Sequence, residues 1–193
     1  MSVASYKLPG MTSWIRCGVI AWLEEGRYRE DETVLVYFKG TSLATMAEGL
    51  SAHRRPPLAQ GLDTAPDEWG VIVHHMFDPS SDDYDGVNYR ELCPQGAELV
   101  VFVPNPCIAK AHGPHAYHYK DGRTSSCVNY ETPEYVGEHW PNKLAPLISA
   151  AGLDHQHTTY DEQVTQLISD HLGLPALDRD TVTVDRDLVA TYF

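Results

Sequence analysis

"AYHYKDGRTSSCVNY", residues 116–130, decides how this chain is folded. Two stretches of alternating side-chain character flank Asp121-Gly122, a pair that tolerates the positive φ angles of a tight two-residue turn. A hairpin over these residues means antiparallel pairing, because only antiparallel strands close through so short a link.

Working outward, three apolar runs supply further strands. "AELVVFVP" (97–104) is continuous, which implies burial on both faces. "WGVIVHHMF" (69–77) and "ETVLVYF" (32–38) are the others, the latter ending at Lys39-Gly40. The tail "TVTV" (181–184) alternates like an edge strand.

Helices fall between and after these runs. Thr12 or Ser13 caps a first helix with Ile15, Val19, Trp22 and Leu23 on one face, and Gly26 stops it. Thr41 or Ser42 caps a second, whose stripe is Leu43, Met46, Ala47 and Leu50. A brief helix is expected over Val87 to Cys93. Asn142 caps another that carries Leu144, Leu147, Ile148 and Ala151 and ends at Gly152, with Pro146 in its first turn. In "TYDEQVTQLISDHLG", Thr159 and Glu162 form a capping box, and Val164, Leu167, Ile168, His171 and Leu172 line one face. Residues 52–68, rich in Pro, Gly and charge, form a long loop.

The class is therefore α+β: a largely antiparallel mixed sheet of about five strands, short helices on one face, and two C-terminal helices. At 193 residues one domain is expected. Residues 1–26 would be an N-terminal helix packed on a single domain (27–175), and 176–193 an extension.

The order of motifs resembles an uncharacterised domain family of actinobacteria and their phages. The elements that carry the likeness are "VLVYFKGTS", "WGVIVHH", "GAELVVFVPNP", the Y-x-Y-x-D-G hairpin and "WPNKLAPLISAAGLD", in succession from about Ala21 to Leu174. Lys39 stands where that family typically has arginine, and His74 lies near the place of a carboxylate. The resemblance implies a shared fold and brings no activity or cofactor.

Charge narrows the function classes. Lys plus Arg total 14 and Asp plus Glu total 27, a formal net charge of −13. Such a surface repels phosphate backbones and anionic lipid, and it favours a basic partner. No run approaches the ~18 apolar residues of a membrane span, and the N-terminus lacks the regions of a secretory signal, so a cytoplasmic location is expected. Cys17, Cys93, Cys107 and Cys127 are scattered without a C-x-x-C pair. They fit reduced, mostly buried thiols, and no cofactor is called for.

The histidines are the candidates for chemistry. His112, His115 and His118 recur every three residues, but Gly113-Pro114 interrupts any helix. In a strand, His115 and His118 point to opposite faces. The plainer account is a polar loop and one exposed strand histidine. A metal site would need His74 or His75 to come across beside His112 or His115, since zinc takes three or four convergent ligands. His74 and His75 are neighbours in a strand, so one imidazole faces the core, where it bonds a backbone carbonyl or carboxylate. Either would serve as a general base given a nucleophile.

The loop "FDPSSDDYDG" (77–86) offers Asp78, Asp82, Asp83 and Asp85 without the spacing of a calcium loop. Asp82, Asp83, Tyr84 and Asp85 make an acidic patch with an aromatic anchor, suited to a basic protein partner. "YFKGTS" also resembles the first strand of ADP-ribosyltransferase-like folds. That resemblance implies a dinucleotide held near Lys39, with Glu131 or Glu134 as the acid. The expectation is an acidic, non-enzymatic interaction protein, of the immunity-inhibitor or phage-accessory kind. The alternative is a histidine-dependent enzyme acting on a small substrate.

Overall fold

A computed structural model describes residues 14–28, 32–61, 65, 67–78, 86–104, 114–131, 141–153 and 157–193. At its centre is strand β1 (Thr33–Lys39), hydrogen-bonded on one side to β3 (Gly70–His75) and on the other to β4 (Glu98–Val103). β4 pairs with β5 (His115–Lys120), and β5 with β6 (Arg123–Asn129). Beyond β3 come β2 (Pro57–Gly61) and then β7 (Val182–Val184). The result is one seven-stranded sheet, order β6-β5-β4-β1-β3-β2-β7, with every pairing antiparallel.

The β5–β6 hairpin turns at Asp121 (φ 52) and Gly122 (φ 72), as the Asp-Gly pair predicts. Pairing shifts between His118 and Tyr119: His118 lies opposite Ser126, while Tyr119 lies opposite Thr124. Ser125 is the extra residue of this bulge.

Two strands exceed the expected number in different ways. β7 is the alternating tail, and it does lie at the edge. β2 falls inside the stretch taken as a loop. Its Pro57 occupies the first strand position, where a missing N–H costs least, and Leu58 and Ala59 are buried.

The described helices lie mainly on one face, as expected, but one helix covers the other. On one face lie α1 (Trp14–Cys17), α2 (Val19–Leu23), α4 (Ala145–Ala151), α5 (Tyr160–Leu172) and α6 (Arg186–Tyr192). They pack Trp14, Ile20, Ile148, Val164, Ile168 and Val189 onto Leu35, Tyr37, Val71, Val100 and Phe102. On the other face α3 (Leu43–Ala52) sets Met46 and Leu50 against Val34, Val36, Ile72, Leu99 and Val101. The reason is the composition of the central strands: each is apolar at consecutive positions, so both faces need cover.

Local details also differ from expectation. Gly18 (φ 87) splits the first helix into α1 and α2. Residues 88–93 form successive turns instead of a helix: Asn88 O accepts from the amides of Glu91 and Leu92, and Arg90 O from that of Cys93. The capping box does not close. Thr159 Oγ1 lies 2.8 Å from His157 Nδ1, and Glu162 pairs with Arg16 at 3.2 Å. His171 is exposed. Ser42 does cap α3, accepting from Thr45 N at 3.1 Å, a contact worth about 1 kcal/mol. A third C-terminal helix, α6, follows the two expected, capped by Asp185.

Candidate functional site

The antiparallel register builds a row of charges across one end of the sheet. Lys39 closes β1 opposite Glu98, which opens β4. Glu98 lies opposite Lys120 at the end of β5, and Lys120 opposite Arg123 at the start of β6. Directly paired residues share a face. Lys39 continues the alternation of Leu35 and Tyr37, so this row lies toward the helix-rich layer.

Glu98 is the hub. Its Oε2 is 3.4 Å from Lys39 Nζ and 3.5 Å from Lys120 Nζ, and its Oε1 is 2.7 Å from His118 Nε2. Burial pushes the Glu98 carboxyl up, but the His118 bond and the two ammonium groups outweigh it, leaving Glu98 below its ordinary range. Lys39 Nζ also sits 4.4 Å over the Trp69 ring, a cation–π contact.

His118 is buried, and that burial holds its pKa below the ordinary value despite the Glu98 bond; Lys120 and Lys143 oppose its charging too. It is therefore neutral at pH 7, donating Nε2–H to Glu98 and directing its lone pair to Nδ1. This puts a carboxylate behind the imidazole, an arrangement that would orient a general base.

Lys120 also borders a recess of about 460 Å³, lined with it by Gln95, Asp121, Arg123, Thr124, Ser125 and Lys143 and not by Glu98 or His118. Arg90 Nε donates to Thr124 Oγ1 at 3.0 Å. Asp121 Oδ1 accepts the Gly96 amide at 2.8 Å. Elsewhere, cations are matched by carboxylates: Arg16–Glu162, Arg27–Glu24, Arg54 and Arg55 with Asp78, Arg179–Glu25 and Arg186–Glu24. Among the described residues Arg90, Arg123 and Lys143 have no carboxylate within ion-pair distance.

The structure disperses the expected histidine site. His74 and His75 point to opposite faces of β3, as alternation requires. His74 is fully buried; its Nδ1–H donates to His75 O (2.9 Å), and its Nε2 accepts from the Tyr89 hydroxyl (2.8 Å). Burial, with Arg55 and His75 nearby, lowers its pKa to about 4. His75 Nδ1 lies 3.0 Å from both N and O of Phe77, and its ring stacks on Tyr192 at 4.7 Å.

His115 faces the same side as Tyr117, with stacked rings 5.7 Å apart, and Asn129 Nδ2 is 3.4 Å from its Nε2. Neither His115 nor His118 is the exposed strand histidine expected. His112 and the patch Asp82, Asp83, Tyr84 and Asp85 lie outside the described residues, as do Glu134 and Cys107. Among the described residues no group of three or more His, Cys, Asp or Glu is placed to hold a metal ion.

Lys39 and Glu131 are not brought together. β6 runs antiparallel to β1, so Glu131, after its C-terminus, stands at the opposite end of the sheet from Lys39. Of the described cysteines, Cys93 is buried, Cys127 is half-buried and Cys17 is exposed. No described helix is long and apolar enough to cross a membrane. Of this cluster, Lys39 and His118 were named from the sequence in other roles, whereas Glu98 and Lys120 were missed; their signal is a charged residue at a strand end, in phase with the buried positions.

No family model, curated protein or solved structure matches the chain.

Proposed function

We propose that the protein acts by recognition, as an acidic interaction protein whose partner is a basic macromolecule. The observation that carries this reading is the balance of charge. The chain has 27 carboxylates for 14 cations, and most described cations are already engaged by a carboxylate. The surplus therefore has no cation in the chain to neutralise it. A field of that sign steers a basic partner inward and repels nucleic acid. The Asp82, Asp83, Tyr84 and Asp85 segment is the proposed contact, with the tyrosine as its apolar anchor. The expected setting is the cytoplasm, and within the class an immunity-type inhibitor or a phage-borne accessory protein fits best. Kinship with the actinobacterial and phage domain family belongs to the same proposal and rests on the succession of motifs.

The test is a pull-down with wild-type protein and with Asp82→Asn, Asp83→Asn and Asp85→Asn combined. The basic partner is expected to be retained by wild type at low salt and lost from the triple variant. Equal recovery by both proteins would overturn the assignment of the patch.

A second reading, a histidine-dependent enzyme, is favoured by one geometry: the neutral His118 held by Glu98, whose other partner Lys120 borders an open recess. It moves the general base from His74, His75, His112 or His115 to His118.

A further inference from the structure

We propose that the recess between the β5–β6 turn and Lys143 binds the phosphoryl group of a small phosphate monoester. This site is independent of the acidic patch and opposite to it in sign.

Three features point to this ligand class. The first is local charge. In a chain of net charge −13, Lys39, Arg90, Lys120, Arg123 and Lys143 gather at one end of the sheet, where among the described residues the carboxylates of Glu98 and Asp121 face them. Glu98 is shared between Lys39 and Lys120, and Asp121 is turned onto the Gly96 amide. The excess is positive and suits a dianion, which a phosphate monoester becomes above pH ~6.

The second feature is the donor set. Arg123 offers a planar fork that matches two phosphate oxygens, while Lys120 and Lys143 act as point charges. Arg90 donates to Thr124 Oγ1, so the Thr124 hydroxyl proton is directed away from the guanidinium. The bulge at Ser125 places a second hydroxyl among the lining groups. A phosphoryl group offers these donors three terminal oxygens and close to two negative charges, against the two oxygens and single charge of a carboxylate.

The third feature is size. A recess of about 460 Å³ is much larger than a phosphoryl group and falls in the range of small-molecule sites. A phosphate backbone is disfavoured, because the cations form one cluster and the surrounding acidic surface would repel the rest of a polyanion.

The test uses isothermal titration calorimetry and phosphorus NMR on the full chain. Inorganic phosphate and a nucleoside 5′-monophosphate are compared with acetate, the unphosphorylated nucleoside and a short single-stranded oligonucleotide. Binding of the two phosphates alone is expected. Arg123→Gln and Lys143→Gln are each expected to weaken it at least tenfold, as loss of a charged hydrogen bond does. Arg179→Gln and Arg186→Gln, both outside the recess, should leave it unchanged. All four positions are exposed, so the variants should fold, and unchanged melting temperatures check this. The proposal falls if neither phosphate binds at millimolar concentration, if acetate binds as well as phosphate, or if the oligonucleotide binds more tightly at equal salt. It falls too if Arg179→Gln costs as much affinity as Arg123→Gln.

Discussion

His74 should make the protein acid-sensitive, and His74→Gln should remove that share of the sensitivity. In the fold its imidazole is fully buried, donating to His75 O and accepting from Tyr89. Burial lowers its pKa from 6.5 to about 4. The unfolded chain therefore takes up a proton at this site near pH 6.5, while the folded chain resists until about pH 4. Between those values the unfolded state holds one more proton, so stability falls as pH falls. At ~1.4 kcal/mol per pH unit the total loss across the window is about 3 kcal/mol.

Glutamine does not titrate and can still meet one of the two partners. At pH 7.5 the variant should be less stable by about 1–3 kcal/mol, the cost of an unmatched buried polar group. That deficit should shrink toward pH 4.5, and the two stability curves should converge or cross. Urea unfolding at a series of pH values measures the curves, and proton NMR of the ring Cε1–H follows the imidazole directly. His75 and His118, whose pKa values are also lowered by burial, add to the slope in both proteins and cancel in the comparison. Parallel loss of stability in the two proteins, or a His74 resonance titrating near 6.5, would refute the reasoning.

Two further substitutions probe packing. Gly70→Ala places a methyl group into the Phe38 ring across the β1–β3 pair, an overpacking that should cost about 1–3 kcal/mol; a melting temperature equal to wild type would contradict this. Arg55→Met removes the largest of the fully buried side chains, whose Nε donates to Met76 O and whose Nη1 lies 3.9 Å from Asp78. Asp78 is itself buried, so losing this partner should destabilise by about 3–5 kcal/mol in urea titration, and a loss below 1 kcal/mol would show that Arg54 substitutes.

Much of the architecture was legible in local composition. The apolar runs named β1, β3 and β4, the Asp121-Gly122 turn located the hairpin, and the alternating tail became an edge strand. Each signal is set by a few adjacent residues. β2 was hidden because prolines normally mark loops, and one of its two partners, β7, lies far along the chain. The capping box failed for a similar reason: Arg16, from the other end of the chain, claims Glu162.

The candidate site shows the division most clearly. By itself the sequence determined that His115 and His118 point apart and that His74 and His75 do likewise, because side chains alternate along any strand. It also determined the charge surplus. Only tertiary structure decided that Lys39, Glu98, Lys120 and Arg123 stand in one row with His118 beside them. Those contacts join residues from four strands, and they exist only in one register. A slip of a single residue would turn every side chain of a strand to the other face.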